Sequence, residues 1–170
     1  MIAKVLLSLV VLLAAVAGSA WLVGRRMPAA HSVAVVREIS APIANVADLI
    51  RNVEAQPTWR GGVQRIAVTT RSDTDIRYVE SGSNGDIPFR FREVTQGVAF
   101  VSTIDTDALP FSGEWHISLD AITAERTRVT IREDGRVGPP LFRVISTYVI
   151  GHTTNIDGYV RDLANAAVTR

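Results

Sequence analysis

The sequence contains no cysteine, and Lys4 is its single lysine. Without cysteine the chain has no disulfide framework, no thiolate metal site and no cysteine nucleophile. An excess of one charge is also lacking, because the chain has 18 Lys and Arg against 17 Asp and Glu. With Lys4 left out, the part from Arg25 onward is formally neutral. A nucleic-acid-binding domain usually carries a basic face or a net positive charge. We therefore expect no nucleic-acid partner.

One long segment lacks charge altogether. Between Lys4 and Arg25 every residue is uncharged, and most are aliphatic. As a helix, about 20 such residues reach ~30 Å, the thickness of the hydrocarbon core of a bilayer. Trp21 lies near one end, where an indole prefers the interface, and Arg25 and Arg26 follow at the depth of the headgroups. We predict that residues 1–26 form a single-pass membrane anchor, so the membrane is an expected partner.

A cleaved signal peptide is the alternative for this segment and would make the protein secreted. Lys4 supplies a short positive region, and Gly18-Ser19-Ala20 offers small residues for a cleavage site. The apolar run continues past that site and stops at a pair of arginines, which favours the uncleaved anchor. A buried core helix is disfavoured because the run is apolar on all faces. Positive charges flank both ends, so the sequence does not give the side of the membrane.

The remaining residues are enough to form one domain with a proper core. We predict a linker over residues 27–31 and a domain over residues 32–170. The domain begins with a strand to Ile39, followed by a helix from about Pro42 to Asn52. Turn signals then separate further predicted strands, which are residues 63–70, 76–81, 87–95, 98–105, 111–119 and 127–133.

The last two strands and the C-terminal helix show the clearest periodicity. Along residues 111–119, odd positions are apolar or glycine and even positions are polar, which is typical of a half-buried strand. After Gly138-Pro139-Pro140, apolar and aromatic residues recur at spacings of three and four and predict one long amphipathic helix. They are Leu141, Ile145, Tyr148, His152, Ile156, Tyr159, Leu163 and Ala167. Weak helix formers around Gly151 allow a bend near the middle.

Several short motifs occur in one order between His31 and Val168. They are Ile39-Ser40-Ala41-Pro42 with Val46 and Leu49-Ile50, then Trp59-Arg60, Gly113-x-Trp115, Glu133-x-Gly135 and Pro140-x-Phe142-Arg143. In this order the sequence resembles the SRPBCC superfamily, which comprises the START and birch-pollen-allergen-like helix-grip proteins and is often labelled polyketide cyclase or lipid-transport-like. One departure is Ala47, where relatives often carry a large aromatic residue.

The resemblance implies an α+β fold in which a curved antiparallel sheet of six to seven strands grips a long C-terminal helix. It also implies a hydrophobic cavity between sheet and helix that binds lipids, sterols, polyketides or other apolar molecules. The superfamily is functionally diverse, and a fold by itself does not assign a function.

Six residues are our candidates for contact with such a ligand: Trp59, Tyr78, Trp115, Glu133, Tyr148 and His152. Aromatic side chains often line ligand sites, although Trp115 suits plain core packing equally well. Glu133 lies in phase with the apolar residues of its strand, which would point it inward, and we expect Arg143 to pair with it because a buried charge needs a partner. His152 on the helix stripe suits acid/base chemistry or a hydrogen-bonded place in the cavity wall.

The sequence predicts neither a metal site nor a cofactor. The three histidines fit no metal-ligand spacing, and no glycine-rich phosphate loop or activated serine is present. Three hypotheses remain, of which a membrane-anchored binding or carrier domain for a hydrophobic small molecule or lipid is favoured. A polyketide cyclase/dehydratase-like enzyme would use the same cavity, and an interaction module would have a filled core instead.

Overall fold

The computed structural model of the chain describes residues 2–83, 85–151 and 153–169. Within these residues, a 25-residue apolar helix precedes a domain of seven strands and three further helices, with a two-turn 3-10 helix and a π-helical turn. The helices are α1 (Ile2–Arg26), α2 (Ile43–Arg51), α3 (Pro140–Ile145) and α4 (Thr154–Val168), the 3-10 helix is Val53–Thr58 and the π-helical turn is Ser146–Ile150. The strands are β1 (Ala30–Ile39), β2 (Val63–Arg71), β3 (Asp75–Gly82), β4 (Gly85–Thr95), β5 (Ala99–Ile104), β6 (Phe111–Thr123) and β7 (Arg126–Val137).

All seven strands form one antiparallel sheet in the order β1-β7-β6-β5-β4-β3-β2. Strands β2 to β7 follow one another as a meander, because short turns join antiparallel neighbours. β1 instead pairs with β7, the strand most distant from it in sequence. The predicted α+β fold with six to seven antiparallel strands is confirmed.

The concave face of the sheet carries the core, and α2 and α4 cover it. The polarity alternation predicted for the last strands is observed, because Ile117, Leu119, Val129 and Ile131 are almost completely buried. Val46, Leu49 and Ile50 of α2 and Ile156, Val160 and Leu163 of α4 close the other side of the same cluster.

The predicted C-terminal stripe is divided between two helices that face different parts of the protein. The π-helical turn ends at Gly151, whose φ of +82° is a conformation that L side chains rarely adopt. α4 packs against α2 and β1, whereas α3 packs against α1. The sheet therefore loses its helical cover towards the Gly151 end of α4, and Trp115 and Glu133 there are only partly buried.

Arg143 fastens the domain to the end of α1. Its guanidinium donates hydrogen bonds to four backbone carbonyl oxygens, those of Gly24 (3.3 Å), Met27 (3.2 Å), Val137 (2.9 Å) and Gly138 (2.6 Å). The expected pairing of Arg143 with Glu133 is therefore wrong. The reason is that α3 packs against α1, so the arginine meets carbonyl groups at the ends of α1 and β7 instead of the carboxylate.

Candidate ligand-binding site

Tyr159 is the centre of a group of aromatic and charged side chains on the concave face. α4 directs it towards the sheet, where its ring meets Trp59 edge-on at 5.6 Å and Trp115 edge-on at 5.5 Å between centroids. The guanidinium of Arg60 lies over the same ring at 5.2 Å, within the range of a cation–π contact. We call this group, together with Glu80, Glu133 and His31, the Tyr159 cluster.

On one side of Tyr159 the cluster contains a partly buried ion pair. Nη1 of Arg60 lies 2.7 Å from a carboxylate oxygen of Glu80 on β3 and 2.7 Å from Oε1 of Gln56. The Arg60 and Glu80 side chains are 17% and 16% exposed, so solvent screens the pair only in part. Arg60 is thus held by the 3-10 helix and the sheet together, with one face of its guanidinium on the tyrosine ring.

On the other side, three neighbouring strands bring a tryptophan, a carboxylate and a histidine together. The indole nitrogen of Trp115 on β6 donates to Oε2 of Glu133 on β7 at 2.6 Å, and Nε2 of His31 on β1 lies 3.2 Å from Oε1 of the same carboxylate. Gly135 makes this possible, because a Cβ there would lie 2.4 Å from the His31 ring. Glu133 and His31 are each 18% exposed, so the pair is only partly buried.

Tyr78 lies on β3 beside the cluster and extends its aromatic surface. Its ring stacks on Phe89 at 5.6 Å, and Ser102 lies near its hydroxyl. Burial raises the pKa of Tyr78 strongly, and nearby Glu80 adds to that rise. Burial likewise raises the pKa of Tyr159 to about 12. Both phenols therefore stay neutral near pH 7, where they can exchange hydrogen bonds but do not supply a negative charge.

One donor of the cluster is unused among the described residues. The indole nitrogen of Trp59 is buried and has no hydrogen-bond partner there. Leaving a buried donor unpaired costs about 1–3 kcal/mol, so a ligand acceptor that hydrogen-bonds to it would bind more favourably. The site thus combines aromatic surface with a few polar groups, an arrangement suited to an apolar molecule that carries an oxygen acceptor.

The fold resembles solved structures of an aromatase/cyclase, a START superfamily protein and a synthase. The Zhui aromatase/cyclase from Streptomyces sp. R1128 superposes with a TM-score of 0.71 at 11% identity, covering 83% of this chain and 95% of that chain. A START superfamily protein from Mycobacterium smegmatis gives 0.66 at 13% identity, with 82% and 98% covered. Norcoclaurine synthase from Thalictrum flavum, in complex with dopamine and hydroxybenzaldehyde, gives 0.67 at 7% identity, with 83% and 88% covered. The chain has the helix-grip fold of these proteins.

The likeness concerns the fold of this helix-grip domain and assigns no residue a role, since every identity is far below 25%. Neither a family model nor a curated protein sequence matches the chain. The site must therefore be judged from its own residues.

The structure brings four of the six candidate residues together. Trp59, Trp115 and Glu133 belong to the Tyr159 cluster, and Tyr78 lies beside it. Tyr148 is elsewhere, on the π-helical turn with 72% of its surface exposed. His152 lies outside the described residues.

Sequence reasoning missed Tyr159, Arg60, Glu80 and His31 as parts of one site. Tyr159 was visible as a member of the helix stripe, but a stripe residue is ordinarily core. Arg60 was visible in the Trp59-Arg60 motif, whereas nothing local indicates that Glu80 on a distant strand is its partner. His31 reaches Glu133 only because β1 pairs with β7, a contact over 102 residues.

A cleft of about 200 Å³ adjoins the cluster at His31. It lies between the segment after α1, the end of β7 and the start of the C-terminal helices, and its lining residues are Met27, Pro28, Ala29, His31, Val137, Arg143, Ser146 and Thr147. A wider surface cleft of about 550 Å³ lies at the far end of α4 against β1 and contains no residue of the cluster. The smaller cleft lies between His31 of the cluster and Met27, the residue that directly follows α1.

Proposed function

We propose that this protein is a membrane-anchored binding or carrier domain for a hydrophobic small molecule or lipid. Its parts would be an anchor at residues 1–26, a linker at 27–31 and a ligand-binding domain at 32–170. The observation that carries the proposal is the Tyr159 cluster, which lies only partly buried on the concave face where the C-terminal helix turns away.

The composition of the site supports an apolar ligand with a polar end. Three aromatic rings meet at Tyr159, and Tyr78 and Phe89 continue that surface. The polar groups are few and lie on opposite sides of the rings, with Arg60 and Glu80 on one side and Glu133 on the other. Ligand sites commonly have this form, in which apolar walls provide affinity and a few polar groups fix orientation.

The anchor is supported by the length and polarity of α1. An 18-residue window of this helix has a mean hydropathy of 2.4, and none of that window is buried against the rest of the described chain. A signal sequence has the same character, so the alternative of a secreted domain stands beside the anchor. In either case the ligand-binding part of the proposal rests on the domain and not on α1.

Native mass spectrometry of the full-length protein, gently extracted from its membrane, tests the proposal. We expect an added mass that disappears on denaturation. Trp59→Phe should lower the occupied fraction several-fold because it removes the buried indole donor that has no partner within the described residues, while Trp21→Phe, the same exchange on α1, should leave it unchanged. A bare protein mass together with no binding of fluorescent lipid probes would overturn the proposal in favour of a module with a filled core.

A second candidate function is an enzyme of the cyclase or dehydratase kind acting on a carbonyl compound. The observation that favours it is the His31–Glu133 pair at 3.2 Å, since a carboxylate and an imidazole in contact can move a proton. A polyketide-like ligand incubated with the protein would lose the mass of one water, and Glu133→Gln would prevent the loss. A bound ligand of unchanged mass would leave binding alone.

A further inference from the structure

The start of the C-terminal helical region exposes an apolar face to its surroundings. No residue of α3 is buried, although the helix is rich in large apolar side chains. Leu141, Phe142 and Ile145 are 41%, 49% and 37% exposed, and Tyr148 on the following turn is 72% exposed. Positions 141 and 145 are four residues apart on one face of α3, and Tyr148 follows on the π-helical turn. A contiguous exposed apolar face of this kind marks an interaction surface.

The position of α3 indicates what this face meets. The carbonyl oxygen of Pro140 approaches Gly24 so closely that a Cβ on Gly24 would lie 2.0 Å from it, and Arg143 donates to the carbonyl oxygen of Gly24 at 3.3 Å. Gly24 directly precedes Arg25 and Arg26, where a bilayer-spanning α1 would reach the headgroups. α3 is therefore fixed beside the end of the anchor, at the depth where the hydrocarbon core gives way to the headgroups.

The charges around this face complement a phospholipid surface. From Gly135 to Ile156 the sequence contains no Asp or Glu, while Arg136 and Arg143 lie within that stretch. Arg25 and Arg26 add two cations at the adjoining end of α1. Arginines beside exposed apolar and aromatic side chains are the usual composition of a surface that rests in the interface of an anionic membrane.

We propose that α3 and the π-helical turn form a membrane-docking surface, in which Leu141, Phe142, Ile145 and Tyr148 insert into the interface of the bilayer that α1 spans. The inference rests on the anchor of the proposed function and goes beyond it. Docking would hold the cleft between Pro28, Arg143 and His31 at the level of the lipid headgroups. A lipid would then pass from the bilayer through this cleft to the Tyr159 cluster.

The absence of cysteine makes a direct test possible in the full chain. Single variants Phe142→Cys, Ile145→Cys and Tyr148→Cys would be labelled with an environment-sensitive fluorophore and reconstituted in vesicles of phosphatidylcholine and phosphatidylglycerol. We expect quenching by nitroxide-labelled lipids and several-fold protection from aqueous iodide. Val94→Cys serves as the matched control, because Val94 is an apolar residue that is 61% exposed on β4. It should show the reverse pattern.

A label at Leu12→Cys in α1 separates failure of the docking surface from failure of the anchor. If Leu12 is quenched from the lipid while positions 142, 145 and 148 respond only to iodide, the docking surface is overturned and the anchor stands. If Leu12 is also accessible to iodide, both are overturned. In a second variant, Phe142→Asp with Ile145→Asp, the lipid quenching of a label at Tyr148 should fall several-fold, and unchanged quenching would contradict docking.

Discussion

Trp115 donates its indole N–H to Glu133 at 2.6 Å, and the two residues are direct neighbours on β6 and β7. The carboxylate therefore occupies an inward position that apolar residues hold elsewhere on these strands, such as Ile117 and Ile131. His31 binds its second oxygen, so both oxygens of this partly buried carboxylate have a partner.

Replacement of Glu133 should distinguish its hydrogen bonds from its charge. Glu133→Leu leaves the Trp115 donor without its acceptor, and we expect it to lower the free energy of unfolding by about 1–3 kcal/mol. Glu133→Gln keeps an acceptor in the same place and should have a smaller effect. Urea unfolding of the two variants in detergent measures the difference. Equal stability of Glu133→Leu and the unmodified chain would contradict the role assigned to this hydrogen bond.

Substitution of Tyr159 should separate ring contacts from the hydroxyl group. Tyr159→Leu removes edge-on contacts with Trp59 and Trp115, each worth about 0.5–1.5 kcal/mol, and should also lower ligand occupancy. Tyr159→Phe keeps the ring and should preserve most of the stability. Unfolding monitored by tryptophan fluorescence, followed by native mass spectrometry, provides both readings. A stable Tyr159→Leu protein with full occupancy would show that the ring is not central.

The stability of the domain should depend on pH through Glu93. This carboxylate is 9% exposed and accepts hydrogen bonds from Arg51 at 2.7 Å and from the Gly97 backbone at 2.6 Å. Arg51 holds the pKa of Glu93 below its ordinary value of 4.5. A lowered folded pKa contributes stability that is complete above the unfolded pKa and is lost as pH falls through the folded pKa.

The matching measurement compares unfolding free energies of the unmodified chain and Glu93→Gln between pH 7 and pH 3. We expect a difference of about 1–3 kcal/mol at pH 7 that shrinks as the pH falls below 4.5. Asp48→Asn is the control, since Asp48 binds the same arginine from a position that is 61% exposed and such pairs contribute little. A difference independent of pH would refute the role of the Glu93 charge.

Gly24 should be required for the contact between α1 and α3. Gly24→Ala places a methyl group 2.0 Å from the Pro140 carbonyl oxygen, so α3 must move away. Gly18→Ala is a matched exchange on the same helix, where no atom lies within 4 Å of the new Cβ, and both raise helix propensity by about 1 kcal/mol. Amide hydrogen exchange over residues 141–148 should accelerate in Gly24→Ala alone. Identical exchange in both variants would contradict the close approach.

The sequence predicted the sheet better than it predicted the helices. Period-two polarity is a local signal, so residues such as Ile117 and Val129 indicated their own inward direction, and the phase of Glu133 followed from the same pattern. For the C-terminal helix, the weak helix formers around Gly151 indicated a bend, but they did not indicate two separate helices, because the spacing of apolar residues continues across Gly151. The apolar stripe of the C-terminal region contacts two different surroundings. Tyr159 packs against the sheet, and on our proposal Tyr148 contacts the bilayer.

The partners within the site were beyond the sequence for a different reason. Glu133 meets His31 and Trp115 through strand pairings that join distant parts of the chain, and no pattern along one strand specifies its neighbour. Arg143 was predicted to pair with Glu133 because a buried charge needs a partner. In the structure, Arg143 instead donates to carbonyl groups at the end of α1, and Glu133 has His31 and Trp115 as partners. The tertiary fold decides which polar group becomes the partner of a buried charged side chain.

Only Met27, Pro28 and Ala29 separate α1 from β1, and Arg143 binds the backbone on both sides of the last turn of α1. Three extended residues reach about 10 Å. With α1 in a bilayer, the domain cannot swing across an aqueous gap to deliver cargo to a second membrane, as a protein on a long flexible tether does. Traffic through its site would be confined to one leaflet, and any recipient would have to come to that leaflet to collect the ligand.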